Sequence, residues 1–195
     1  MTMTIDIETL VADLQPVRPV SPRGGVLIAL VAAAVVIAVV AATLGLRPDV
    51  VAGDPHPVVM MREGMLLLLG FASLAAVVAS ARPGVGQSST GWRWALAAAS
   101  LFPLTSIALS MTSTGFPMDV LFSVDGPWCF GVSIGGGLLI GAGLTLWLRS
   151  GAPTAINRIG WLVGLTSGSF GAFAYGLHCS SISVFYVGLW YTGAI

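Results

Sequence analysis

The chain has 195 residues, of which 56% are hydrophobic and only 8% charged, against about 25% charged in an ordinary soluble domain. So few polar side chains cannot cover the apolar surface of a water-soluble fold, which points to an integral membrane protein with the lipid bilayer as its first partner. Net charge is zero and all eight basic residues are arginines with no basic run among them, which argues against direct binding of a nucleic acid backbone.

Residues 1–23 read as a cytoplasmic N-terminal segment ahead of a transmembrane helical domain over 24–195. Asp6, Glu8 and Asp13 precede the first arginine, so the opening is not a secretory signal. Ile7, Leu10, Val11 and Leu14 recur at i, i+3, i+4 and i+7, the apolar stripe of a short helix. Thr4 suits its N-cap and Pro16 ends it. A helix of about 11 residues is marginal alone. The stripe therefore reads as a docking face, with a disordered tail or a membrane-surface helix as the alternative.

A bilayer core of about 30 Å requires about 20 apolar residues per helix. Five runs meet this, near Gly24 to Leu46, Val58 to Ala81, Trp92 to Met111, Trp128 to Leu148 and Ile159 to Leu177. A sixth opens near Ser183 and is cut short at Ile195. The expected fold is thus all-α, a polytopic transmembrane helical bundle of about six spans whose last span is incomplete. In the second run, Arg62 and Glu63 read as interfacial residues, the arginine snorkelling to the headgroups. In the third, Pro103 is expected to kink the helix. The fifth carries small residues at spacing four, Gly160, Gly164, Gly168, Ala172 and Gly176, and the fourth has Gly131 with Gly135 and Gly137 with Gly141. Such stripes let membrane helices approach closely, so spans four and five are expected to pack together.

Orientation follows from arginine placement, because short cytoplasmic loops carry an excess of Lys and Arg. Arg18 and Arg23, Arg82 and Arg93, and Arg149 and Arg158 all fall on one side. Arg47, Asp49, Asp54, His56, Asp119, Asp125 and His178 fall on the other, with Arg62 just inside span two. The N-terminus is placed in the cytoplasm and the acidic loops outside.

The two cysteines, Cys129 and Cys179, lie fifty residues apart in sequence. That spacing excludes a C-x-x-C redox or zinc pair. Each sits at the outer end of a span, and the two spans are consecutive and antiparallel, so both thiols reach the same face at the same depth. Three readings stay open: two ordinary small apolar residues, a pair close enough for a disulfide, or a shared soft-metal site with His178 as third ligand. Enzyme templates are absent: there is no G-x-S-x-G, no H-E-x-x-H and no phosphate-binding glycine loop. No cofactor is implied, and a regulatory protein is expected rather than an enzyme.

The pattern resembles the NrsF-type anti-sigma factors (negative regulator of sigma F), six-span bacterial inner-membrane proteins. The resemblance rests on IETLVADLQPVRP with its Pro16, Val17 and Arg18, on PWCF around Cys129, and on the Leu-His-Cys segment between Tyr175 and Tyr191. One departure is the polar turn Ser180 to Ser183, where the family is expected to carry proline and acidic residues. The resemblance implies an anti-sigma factor whose N-terminal segment, with Ile7, Leu10, Val11, Leu14, Pro16, Val17 and Arg18, holds an extracytoplasmic-function sigma factor. It implies release of that factor when the periplasmic thiols Cys129 and Cys179 meet an oxidant or heavy metal. Competing readings are a small transporter or metal-efflux component using Arg62, Glu63 and His56, and a membrane thiol oxidoreductase.

Overall fold

A computed structural model of the chain describes residues 20–81, 91–112, 125–151, 153, 155–181, 190–193 and 195. The Ile7 to Arg18 segment and most of the proposed sixth span therefore lie outside the described residues. The described elements are helices: α1 Pro22–Thr43, the single turn α2 Pro48–Val51, α3 Pro57–Ser80, α4 Gly91–Thr112, α5 Asp125–Arg149 and α6 Ile156–Gly176. Residues 190–193 add a further helical turn. Each of the five long helices begins and ends within about three residues of an apolar run in the sequence; two of them start at a proline and all end at polar or glycine residues, which leave little freedom.

Local chemistry sets the starts. Ser21 caps α1, its Oγ accepting from the Gly24 N–H at 3.3 Å, and Pro22 occupies the first turn, where a missing N–H costs nothing. His56 caps α3 in the same way, its Nδ1 accepting from the Val58 N–H at 3.3 Å ahead of Pro57. Helix α4 runs continuously through Pro103.

Among the described residues three helices are long and apolar enough to cross a membrane: Pro22–Thr43, Pro57–Ser80 and Gly126–Arg149. The expectation of about six spans is thus met by composition at three of the described helices. Helix α6 differs for a physical reason. Every residue from Leu165 to Ala172 is buried, because α5, α3 and α1 all pack around it. A helix surrounded by other helices needs close contact rather than an oily surface. Its glycines and hydroxyls lower its hydropathy while the Thr166 hydroxyl is satisfied by the Leu162 carbonyl at 2.7 Å. By contrast α1 turns Leu27, Val31, Val35 and Val39 outward, and α5 turns out Leu138, Leu139 and Leu146, the apolar exterior expected of a membrane-associated bundle.

Close packing of α5 on α6 is observed, through part of the small-residue pattern read in the sequence (Gly137, Gly141 and Gly168) together with Gly171, which that pattern did not include. A Cβ on Gly171 would strike the backbone of Ser133 and Gly137, and one on Gly137 would meet the Ser167 carbonyl at 3.1 Å. Gly131, Gly135, Gly160 and Gly164 face open space. The contacting face of α6 runs through Ser167, Gly168 and Gly171, because α3 claims the neighbouring face: Phe170 fills the space above Gly70, and Gly176 abuts α3 as well. Packing of α1 on α5 is equally tight, with the Trp147 indole lying where a Gly25 side chain would be.

The helix ends sort into two groups. At one end Gly24 of α1 meets Trp147 of α5, and Arg158 of α6 reaches Ser80 of α3 at 3.4 Å. At the other end the chain between α1 and α3 meets the segment following α6.

Candidate functional site

The second end of the bundle holds both cysteines. Cys129 is the fifth residue of α5 and is 1% exposed; Cys179, three residues beyond the end of α6, is 5% exposed. Both are free thiols. The two thiols face each other closely enough to interact. Leu66, Leu69, Ala172, Tyr175 and Tyr191 enclose the pair in one apolar cluster.

The segment around Cys179 is tied on both sides by arginines. Arg47 sits between α1 and α2, and its backbone N–H donates to the Leu177 carbonyl at 3.0 Å. Its Nη1 donates to the Cys179 carbonyl, while Nε and Nη2 make a two-point contact with Asp49 at 2.9 Å each. That fork geometry is the strong form of an arginine–carboxylate pair. It holds the Asp49 carboxyl well below the usual carboxylate range.

Arg62 completes the clasp from α3. It does not snorkel: it is 5% exposed and turned into the bundle, a correction to the interfacial reading. Its Nε donates to Glu63 Oε1 at 2.7 Å, its Nη2 to the Gly176 carbonyl at 2.7 Å and its Nη1 to the Ser181 carbonyl at 3.2 Å. The guanidinium carbon stands 5.4 Å from the centroid of the Tyr191 ring, within cation–π range. Desolvation explains the inward turn. Three aligned acceptors replace water around the charge, and a buried ion pair is tolerated when its remaining protons are satisfied. Gly176 makes the approach possible, since a Cβ there would collide with the Glu63 carboxylate.

His178 is not joined to the thiols as a ligand. Its Nδ1 lies 3.0 Å from the Gly45 carbonyl, which Gly45 presents from a left-handed turn with φ of 81°, and its ring packs edge-on to Tyr175 at 5.7 Å. Among the described residues no three His, Cys, Asp or Glu side chains gather to hold a metal ion. The expected Cys129, Cys179 and His178 ligand set is therefore not assembled. His56 is occupied as a helix cap. Arg62 is taken up by Glu63 and by two backbone carbonyls.

Sequence reasoning brought the two thiols to one face but missed Arg47, Arg62, Glu63 and Tyr191 as their surroundings. The adjacent opposite charges at 62 and 63 inside an apolar run were the available signal, because ionisable groups in such runs usually turn inward. Nothing in the sequence pattern pointed to Tyr191.

Comparison with known proteins supplies the family. The chain is 30% identical over 190 residues to the anti-sigma-F factor NrsF of Caulobacter vibrioides (strain NA1000 / CB15N), covering 95% of this chain and 88% of that protein. No solved structure matches it. The family model described as negative regulator of sigma F matches residues 10–195. With that match spanning all but the first residues, this chain belongs to the NrsF family of negative regulators of sigma F.

Proposed function

We propose that this protein is a multi-pass anti-sigma factor of a bacterial inner membrane, its N-terminus in the cytoplasm. On this reading it holds an extracytoplasmic-function sigma factor through the apolar stripe Ile7, Leu10, Val11 and Leu14, with Pro16, Val17 and Arg18 extending the contact. Release follows when Cys129 and Cys179, on the periplasmic side, are joined as a disulfide. That step takes two electrons and two protons from the thiols to an oxidant. The observation that carries the reading is that two buried free thiols, one from α5 and one from the segment after α6, lie together in one apolar cluster. A bridge between them would tie the start of α5 to the segment after α6, and movement there is passed along two helices in backbone contact at Gly171. Rigid packed helices convert a change at one end into a change at the other when two arrangements are available.

Serine substitution tests this. Cys129→Ser, Cys179→Ser and the double variant should each abolish oxidant-induced expression from a promoter served by the sigma factor, with equal completeness, and each should keep resting repression. Partial and additive losses in the single variants would mean that the thiols act separately, and the bridging reading would fail.

A further inference from the structure

A groove opens between α4 and α6 at the end of the bundle away from the thiols. It encloses about 490 Å³ and is lined by Trp92 and Leu96 of α4 and by Asn157, Arg158, Trp161 and Leu165 of α6. Polarity changes along it. Asn157 and Arg158 stand in the first turn of α6, and the lining is apolar from there down to Leu165, a rise of about 12 Å along the helix. Further along α4, Leu101 and Leu104 keep its outer side apolar. Trp92, Trp94 and Trp161 all fall within the first two turns of these helices, and Trp94 and Trp161 are largely exposed. Tryptophans so placed mark a helix end at the level of the lipid headgroups.

The charges are sorted between the two ends of the bundle. Arg158, which also reaches Ser80 of α3, lies at the mouth of the groove, and the guanidinium carbon of Arg93 stands 5.7 Å from the centroid of the Trp92 ring. The carboxylates among the described residues, Asp49, Asp54, Glu63 and Asp125, all belong to the thiol end.

We propose that this groove is a binding site for an anionic phospholipid. Its phosphate is seated by Arg158, Asn157 and Arg93, and one acyl chain lies between α4 and α6 over Leu96, Trp161 and Leu165. The groove matches such a molecule in charge and in the direction of its polarity, with a basic mouth at headgroup level and an apolar course running inward. A lipid reaches it sideways from within the bilayer. A soluble protein segment would have to carry its polar backbone into the apolar layer to cover Leu165. The proposal rests on the membrane-spanning reading above and goes beyond it, placing a selected lipid against α6, the helix around which α1, α3 and α5 pack.

The test uses the full-length protein in phosphatidylcholine vesicles that carry a minor fraction of brominated phosphatidylglycerol, whose bromines quench tryptophan fluorescence on contact. Quenching should exceed that from the same fraction of brominated phosphatidylcholine. Arg158→Gln should weaken the apparent affinity for the anionic lipid by about fivefold, and Arg158→Lys, which keeps the charge, should retain most of it. Trp161→Phe should remove much of the excess quenching, whereas Trp128→Phe at the opposite end of the bundle should leave it unchanged. Equal quenching by the two lipids, or an excess that Arg158→Gln does not reduce, overturns the proposal. Should Arg158→Gln fail to fold, the two tryptophan variants decide: an excess carried by Trp128 is a general surface attraction and overturns the site. An excess absent from the natural chain but gained on combining Asp6→Asn, Glu8→Gln and Asp13→Asn gives the groove to the N-terminal segment and overturns it equally. A chain that alkaline carbonate strips from the vesicles overturns the membrane reading together with the site. Equal quenching in a chain that resists carbonate overturns the site alone. No sigma factor and no thiol reagent enters the measurement, so its outcome is separate from that of the serine variants.

Discussion

Two glycines on the same helix show how local context sets the value of a residue. A Cβ at Gly171 points into the backbone of Ser133 and Gly137, while one at Gly164 meets nothing within 4 Å. Gly171→Ala must force α5 and α6 apart, and a forced contact of that kind costs about 1–3 kcal/mol. Gly164→Ala should be neutral or slightly stabilising, because alanine is the better helix former by about 1 kcal/mol. Thermal unfolding of the two variants in detergent should separate them, with only Gly171→Ala losing stability. The same logic explains Gly176, whose missing side chain is the space the Glu63 carboxylate occupies. Charge behaves likewise. Arg62 and Arg47 both sit near the Cys179 end of the bundle, but each is turned inward because backbone carbonyls of the segment from Gly176 to Ser181 stand ready to accept from it.

At the scale of elements, α6 is the axis of the fold and owes that place to small and hydroxyl-bearing residues rather than to apolar ones. Its neighbours α1 and α5 supply the oily exterior. The N-terminal stripe, which lies outside the described residues, is proposed as the opposite kind of element, an apolar face on a segment too short to stand alone as a helix. An amphipathic helix of this sort binds by laying that face into a groove on a partner. Burying a leucine contributes about 1.5–3 kcal/mol, so changing Leu10 and Leu14 together to Asp should weaken sigma-factor capture by about a hundredfold or more. Co-purification of the sigma factor with membranes should drop while the amount of protein in the membrane stays unchanged. Capture that survives the double change would move the binding surface to the cytoplasmic loops.

For the whole molecule, the arginines predict an orientation that the bundle geometry makes coherent. Arg23, Arg149 and Arg158 belong to helix ends that gather together, α1 meeting α5 at Gly24 and Trp147 and α6 meeting α3 at Arg158 and Ser80. The thiols, Arg47 and Arg62 lie at the other end. A reporter active only in the periplasm should therefore be silent when fused near Arg82 or Arg149, and active near Asp54 or Asp125. The reverse pattern would place both cysteines in a reducing compartment, where a disulfide does not persist, and the sensing proposal would fall with it.

Helix number and limits in the described region were legible in the sequence, because apolar runs of span length, prolines at helix starts and a scarcity of charge are local properties of the chain. The family was legible too, carried by the Leu-His-Cys segment and the PWCF motif. That Cys129 and Cys179 share one end of the bundle followed from counting helices between them. What tertiary structure alone decided was which faces meet. Gly171 rather than Gly160 touches α5, Arg62 turns in rather than out, His178 turns to Gly45 rather than to the thiols, and Tyr191 closes the pocket. A period of 3.6 residues tells which side chains share a face, but a helix with α1, α3 and α5 around it has several faces to offer. Only the packing of all four determines which carbonyls are left for the arginines.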